Sequence, residues 1–584
     1  MPKRWPPPRF WLLTILFLGV AAVTFSRLDQ RVERLFLNTA WLVGGVEVVA
    51  LPLGVLLALA WAKTDVPGRR AAQLLAIAML FVPLYMWTGA WDAGFGIQGW
   101  HTLATNPHLA HQPWLSGWRG AVWIHAMAAV AWVALIVAAG LRSVEAELEE
   151  DALLRMPAHQ VLRRVTLRRA GGAIVAAAVW VAVVASAEIS VTDVYQFRTF
   201  AEEVYTEAAL GAFDFAGPTS GAPAPPNAPI QSGPTGASPS QPSENNAPAV
   251  ATSIDPALSL RSLWYGIALS SMLVIAALLA GGRLWDDLAH APERRPWHWR
   301  LGAARWPAAV LLWVGLLVIA GVPLANLIYK AGVQVQSTDA GRVRSWSAIK
   351  VIEGVAAAPW QYRAELWQSV QIGTTAATAA VLIGLPLAWS MRGKTSQRLP
   401  WLRLGAIAFL LAVPGPLLGI ALIRLLNQPT DSPLSCLAWL YDTNFAPWLV
   451  QTLRALPIVT LILWPTLATV PQAMLDTAAT DGAGWWRRLL LIVIPQRWPA
   501  LVAAWFVGFA VAVGELAATL LVVPPGPTTI SVRIFSLIHY GVDDRVASIC
   551  LVLVLGLAGL ALTGLRLLPR EDREVALVGG DPIE

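Results

Sequence analysis

The sequence predicts an all-α polytopic membrane protein of about twelve transmembrane helices, built as two six-helix repeats of the same orientation. Three observations carry that prediction. The 584-residue chain is 56% hydrophobic and 13% charged, with a mean hydropathy of +0.57, whereas soluble domains carry roughly 25% charged residues. Apolar runs of about 20 residues, the length a bilayer span requires, recur along most of the chain. Features of the first half return in the second at offsets of 326 to 331 residues.

In the first half the apolar runs lie near 10–25, 35–61, 71–91, 121–141, 173–191 and 263–282. In the second half they lie near 307–329, 369–389, 404–423, 448–467, 500–523 and 546–568. The first run has a basic start and an apolar core but no small-residue cleavage site, so it reads as an uncleaved membrane helix. Tryptophans flank several runs, as Trp61, Trp87, Trp91, Trp389 and Trp448 do, which fits interfacial belts.

Placement of basic residues then sets the orientation. Lys3, Arg4 and Arg9 precede the first span, and Lys63, Arg69 and Arg70 follow the second. Arg142, Arg155, Arg163, Arg164, Arg168 and Arg169 follow the fourth, and Arg283, Arg294, Arg295, Arg300 and Arg305 follow the sixth. Arg392, Lys394 and Arg398 follow the eighth, Arg487, Arg488 and Arg497 the tenth, and Arg566, Arg570 and Arg573 the last. The positive-inside rule makes these connections and both termini cytoplasmic. The loop after the seventh span, with Lys330, Arg342, Arg344 and Lys350, departs from the pattern but is long and weighs less. The net charge of +6 thus speaks for membrane orientation and not for nucleic acid.

Internal repetition divides the chain into residues 1–292 and 293–584. Glu188 matches Glu515, Pro83 matches Pro414, Thr39 matches Ser369, and Thr199 matches Thr529. Six spans per copy give the copies the same orientation, so they are expected to pack about an axis along the membrane normal with a pathway between them. One segment, about 213–256, belongs to neither copy. Its Pro, Ser, Gly and Asn content cannot bury enough apolar surface to offset ordering, so an external disordered insert is expected.

Several chemistries find little support. Cys436 and Cys550 are too few for a disulfide framework or a thiolate metal site and read as unpaired thiols. His101, His108 and His111 fall in the external loop after the third span at a spacing that fits no metal site. The tetrapeptide at 392–395, Arg-Gly-Lys-Thr, ends like a phosphate-binding loop. Ala388 stands where that loop needs its first glycine, and no strand precedes it. No nucleophile–base pair or metal cluster points to a membrane enzyme.

The stretch "DTAATDGAGWWRRLLLIVIP", 476–495, interrupts the apolar pattern on the cytoplasmic side. Asp476 is expected to cap a helix that Ala478 and Ala479 continue. Gly482 allows a break or a close approach, and a second short helix runs through Arg487 and Arg488 to Pro495. Small residues admit another surface, while Trp485 and Trp486 offer anchors. By composition alone an interfacial amphipathic helix is equally open.

These residues resemble the EAA motif, Glu-Ala-Ala-x3-Gly-x9-Ile-x-Leu-Pro, of type I ATP-binding-cassette (ABC) importer permeases. Asp476, Thr477 and Ala478 stand for Glu-Ala-Ala, Gly482 for the glycine, Ile492 for the isoleucine, and Ile494 with Pro495 for Leu-Pro. The first half holds a worn copy, "EDALLRMPAHQVLRRVTLRR". There Glu150, Asp151 and Ala152 fill the Glu-Ala-Ala positions, Met156 replaces the glycine, and Arg168 stands where proline is usual.

The resemblance implies the type I ABC importer transmembrane fold in a bacterial inner membrane. It implies a transport subunit that is not itself an enzyme and holds no cofactor. Two ATPase subunits would carry ATP-Mg and dock, unequally, on the two loops, and an external binding protein would deliver solute. Fused two-domain permeases of this kind resemble the iron(III) and thiamine importers. The run at 514–541 looks more like the iron(III) members, which makes ferric iron the leading substrate and thiamine the next. A stand-alone secondary transporter is the rival class, and it needs no docking surface of the Gly482 kind.

Glu188 and Glu515 complete the candidate residues. Carboxylates at the ends of apolar helices are costly in hydrocarbon, and their matched placement allows a pair on one central path. Structural ties between backbones are the equal alternative. Glu47 and Arg454, also inside spans, are read as structural.

Overall fold

The computed structural model describes residues 19, 30–105, 113–209, 265–275, 298–338, 341–392, 399–428, 432–541 and 543–567. The expected first span at 10–25 apart from residue 19, the insert at 213–256, His108, His111 and positions 393–395 lie outside them, as does most of the sixth span beyond Tyr265–Ile275. Among the described residues seven helices are long and apolar enough to cross a membrane. Up to ten do so if each of three bent pairs counts as one span. A bilayer dictates this outcome, because only a helix satisfies every backbone polar group within one spanning segment.

One element order occurs twice. A long helix, Gln30–Ala62, leads to a bent pair, Arg69–Leu80 with Leu84–Phe95, and then to a straight helix, Gly117–Arg142. A short helix Ala146–Leu153 follows, then a segment with a π-turn at Leu162–Thr166, then Gly171–Ala187 and two short helices, Ser190–Val194 and Phe200–Ala209. In the second half the same order reads Arg363–Ser390, Leu399–Ala412 with Gly415–Leu426, and Phe445–Ala468. It continues with Gln472–Thr480, a π-turn at Leu489–Val493, Ile494–Gly514, Thr519–Val522 and Ile530–His539.

Two of the expected straight spans are corrected. The runs at 71–91 and 404–423 are each broken, bending by 104° and 100°. The breaks fall before Pro83 and Pro414, whose extended ψ values of 153° and 143° begin the next helix. Proline removes a helix donor, and its ring pushes the preceding residue out of the helical region, so the chain turns at Val82 and Val413. The runs at 173–191 and 500–523 also stop early, at Ala187 and Gly514, because the next residues, Glu188 and Glu515, adopt extended backbone.

Each half is held by the same close helix pair. Gly54 of Gln30–Ala62 faces Gly117–Arg142, where an added Cβ would meet the Val133 Cβ at 2.5 Å. Gly384 of Arg363–Ser390 faces Phe445–Ala468, where a Cβ would lie 2.9 Å from Thr460 Oγ1. With no hydrophobic drive between helices in lipid, such small-residue contacts supply the packing. The halves also exchange elements. Ser270 of Tyr265–Ile275 donates to Ala412 O at 3.2 Å, while Asn326 of Val322–Gly332 accepts from the Trp100 indole at 3.0 Å.

Among the described residues one part forms a β-hairpin. Strands Val333–Thr338 and Gly341–Trp346 pair antiparallel, with Val333 opposite Trp346 and Thr338 opposite Gly341. Their alternation of valine with polar residues is the period of a strand. Helix Ala348–Gln361 follows, capped by Ser347, and packs Val351 and Val355 beside Ile549 and Cys550 of Asp543–Leu567. This insertion lies at the N-terminal end of Arg363–Ser390, opposite the end that meets the 472–480 loop.

Candidate functional site

The 476–495 stretch forms a helix–turn–helix, with two corrections to its expected outline. The helix starts at Gln472 after Pro471, so Asp476 sits inside it and accepts from Gln472 Nε2 at 2.7 Å instead of capping its start. The second helix does not end at Pro495. Trp485–Arg488 passes through the π-turn Leu489–Val493 into Ile494–Gly514, with non-helical backbone at Arg497.

Gly482 closes the first helix in a left-handed turn at φ +81°. The Ala483 N–H reaches Ala478 O at 2.9 Å and the Gly482 N–H reaches Ala479 O at 3.0 Å. This double closure ties off the last carbonyls and favours glycine at the left-handed position. An added Cβ at Gly482 would meet nothing within 4 Å, so the space beside it is open.

The loop has an inner and an outer side. Leu475, Leu489 and Val493 are buried with Trp389, Leu463 and Leu467, with Ile492 packed against them. Trp485 turns inward, with its ring 6.3 Å from Trp389, while Trp486 stands 60% exposed; the two tryptophans are not equivalent anchors. Asp476, Thr477, Gly482 and Pro495 are exposed, and Ala478 is half-buried. Arg392 donates to Val470 O and Arg497 to Thr469 O, closing the C-terminus of Phe445–Ala468 with positive charge where the helix leaves free carbonyls.

The first-half loop has the same outline and a different interior. Glu150 and Asp151 are exposed on Ala146–Leu153, Ala152 is buried, and Met156 is half-buried at the turn. The Met156 N–H closes on Ala152 O at 2.9 Å, and Pro157 ends the turn without a left-handed residue. Leu154, at the helix end, is 86% exposed. Behind the exposed side lies Glu149, which accepts from Lys63 Nζ and from Thr166 Oγ1, each at 2.6 Å. All three are buried, and burial pushes the Lys63 ammonium below its ordinary range while the carboxylate pulls it back up.

Glu188 and Glu515 build matching turns. Glu188 accepts from the backbone of Ser190 at 2.8 Å and Val191 at 3.1 Å, and it lies 3.6 Å from His125 Nε2. Glu515 accepts from the Ala518 N–H at 3.0 Å and lies 3.7 Å from Arg454 Nε, while Arg454 also donates to Val413 O at 2.8 Å. In each half a carboxylate thus caps the next short helix and meets a base from the straight helix behind it. The following helices are capped alike: Phe200 N–H donates to Thr39 Oγ1 at 3.1 Å, and Ile530 N–H to Ser369 Oγ at 2.7 Å.

The structure brings the two turns together, since Ile189 and Ala201 of one half pack with Ala517 of the other. Asp193 Oδ2 and His539 Nε2 add an interhalf contact at 2.9 Å. Both carboxylates are engaged with backbone donors, so the structural tie is what the geometry displays. A groove of about 560 Å³ between Gln371, Thr375, Asn444 and Trp448 opens elsewhere, on the second half alone, and no residue of either turn lines it. Sequence reasoning missed Glu149, Thr166 and His125, and it used Lys63 and Arg497 only as markers of orientation.

Residues 380–568 match the family described as binding-protein-dependent transport system inner membrane component. The chain is 29% identical over 194 residues to a Salmonella paratyphi A protein named as a 2-aminoethylphosphonate transport system permease, PhnV, covering 32% of this chain and 68% of that one. It is 24% identical over 176 residues to the molybdenum transport system permease protein ModB of Azotobacter vinelandii, covering 29% and 76%. It is 23% identical over 197 residues to the putrescine transport system permease protein PotI of Escherichia coli, covering 33% and 67%.

Proposed function

The chain is a permease of the type I ABC importers, and we propose that both of its halves, 1–292 and 293–584, serve that role as two fused transmembrane domains. Separate ATPase subunits carrying ATP-Mg dock on two loops, one through Glu150, Asp151, Ala152 and Met156, the other through Asp476, Thr477, Ala478, Gly482, Ile492 and Pro495. A solute-binding protein delivers solute to the opposite face, and the solute passes between the halves near Glu188 and Glu515. The loops and both termini lie on the cytoplasmic side of the bacterial inner membrane.

The observation that supports this reading most is the recurrence of one loop design in both halves. Each presents an exposed helix face, with Glu150 and Asp151 in the first half and Asp476 in the second, backed by a buried anchor to the spans. ATP binding then shifts the inward–outward equilibrium by its differential affinity for the two states. Ferric iron stands first as substrate on the resemblance of 514–541, with thiamine next, and the relatives named for 2-aminoethylphosphonate, molybdenum and putrescine transport widen the set to be tried.

The test is reconstitution in vesicles with the cognate ATPase and binding protein, followed by uptake of each of these solutes. ATP-dependent uptake is expected only with all components present. Uptake by the chain without an ATPase overturns the permease role, and ATP-driven uptake of another solute in place of ferric iron reassigns the substrate.

A further inference from the structure

We propose that Lys63, Glu149 and Thr166 form a buried clamp that makes the first coupling helix move as one body with the span ends behind it, and that this clamp positions the helix for transmission. The inference rests on the permease reading for its functional half and on geometry alone for its structural half.

The clamp joins three elements. Lys63 is the first residue past Gln30–Ala62, Glu149 lies inside Ala146–Leu153, and Thr166 ends the π-turn that leads into Gly171–Ala187. Both carboxylate oxygens are used, one by the ammonium and one by the hydroxyl. A fourth element joins through the backbone. The Trp299 N–H donates to Lys63 O at 2.7 Å and the Leu301 N–H to Asp65 Oδ1 at 2.9 Å, which fastens the chain just before Gly302–Gly332. A displacement of the first coupling helix is therefore handed at once to two spans of its own half and to the entry helix of the other.

The second half shows that the fold does not need charge here. At the offsets of the repeat Leu475 corresponds to Glu149 and Val493 to Thr166. Those positions are buried and apolar, and Leu475 and Val493 share one cluster. A buried ion pair costs desolvation that an apolar contact does not, so it is weak as a stabiliser. Its distinguishing property is directional: it fixes one geometry, and opening it exposes an unpaired charge. Glu149 is thus a positioning residue, acting behind the exposed Glu150.

The test uses the purified full chain and the reconstituted complex. In the chain, Glu149→Gln is expected to raise hydrogen exchange at amides 150–156 by about tenfold or more while leaving 476–483 unchanged. In the complex it is expected to keep the ATPase bound but to lower solute moved per ATP hydrolysed by about fivefold or more. Exchanging the charges, Lys63→Glu with Glu149→Lys, is expected to restore both readouts to within about twofold.

Should Glu149→Gln fail to fold, Thr166→Val keeps the ion pair and is expected to raise exchange a few-fold and to lower the ratio about twofold. Unchanged exchange in the folded single variants overturns the clamp. Raised exchange with an unchanged transport ratio, or a folded charge-exchanged variant with a low ratio, overturns its role in transmission. Wild-type complex that shows no ATP-driven transport overturns the permease reading instead, and the exchange result stands apart from it.

Discussion

Replacing Gly482 separates two reasons why a glycine occupies the 476–495 loop. The residue holds φ at +81° and closes the helix through the Ala478 and Ala479 carbonyls. A left-handed conformation costs a non-glycine residue roughly 1–2 kcal/mol, and asparagine tolerates it better than alanine. Within the chain no steric term adds to this, because an added Cβ meets nothing within 4 Å. Gly482→Ala is therefore expected to increase opening of the turn by roughly 5- to 30-fold, and Gly482→Asn by only a few-fold.

Hydrogen exchange at the Gly482 and Ala483 amides measures that opening in the isolated chain. Binding of the ATPase subunit to the same variants measures the rest. If the partner packs against the open space, Gly482→Asn binds markedly more weakly than its small exchange effect accounts for, and a bulky Gly482→Trp releases the partner. An asparagine variant as open as the alanine variant in the isolated chain refutes the conformational reasoning. Full ATPase binding by Gly482→Trp refutes the close approach.

Three further outcomes follow from the geometry. Glu515→Gln leaves Arg454 buried without its counter-ion and is expected to cost about 3–5 kcal/mol of stability, much of it recovered by adding Arg454→Leu; unfolding in detergent measures both. Thr39→Val and Ser369→Ala each remove one helix cap and are expected to cost about 1 kcal/mol apiece, additively, with faster exchange at the Phe200 and Ile530 amides. Leu154→Ala and Trp486→Ala, at exposed side chains on the two loops, are expected to leave stability unchanged. Each should weaken ATPase binding by about tenfold or more, measured by co-purification, and the Leu154 variant tests docking on the first half directly.

The sequence made the repeat legible because its matched residues turn out to be working partners. Thr39 and Ser369 cap the helices that follow Thr199 and Thr529, and Glu188 and Glu515 cap the turns before them. Those contacts fix residue type at fixed places, so the pattern survives where the apolar surroundings drift. Pro83 and Pro414 match between the halves, yet the apolar pattern runs straight across both breaks. A hydropathy window averages across a turn, whereas the residue before each proline carried the signal.

Other features had no local signature. Lys63 and Glu149 lie 86 residues apart and meet only through packing, and at the equivalent place the second half has leucine, so repetition hides the pair. Trp485 and Trp486 look alike in sequence, and only Trp389 decides which one turns inward. Asp476 has the chemistry of a cap, but Pro471 starts the helix earlier.

The hairpin of Val333–Thr338 and Gly341–Trp346 with its helix Ala348–Gln361 has a consequence for recognition. A membrane body with approximate twofold symmetry offers an asymmetric visitor two equivalent seats, turned half a revolution from each other. The insertion stands at the end of Arg363–Ser390 away from the 472–480 loop, and among the described residues it belongs to one half. In the other, only residues 26–29 separate the expected first span from Gln30–Ala62. It therefore removes the ambiguity. If a solute-binding protein docks on this face, as proposed, the ridge gives it one seat in place of two.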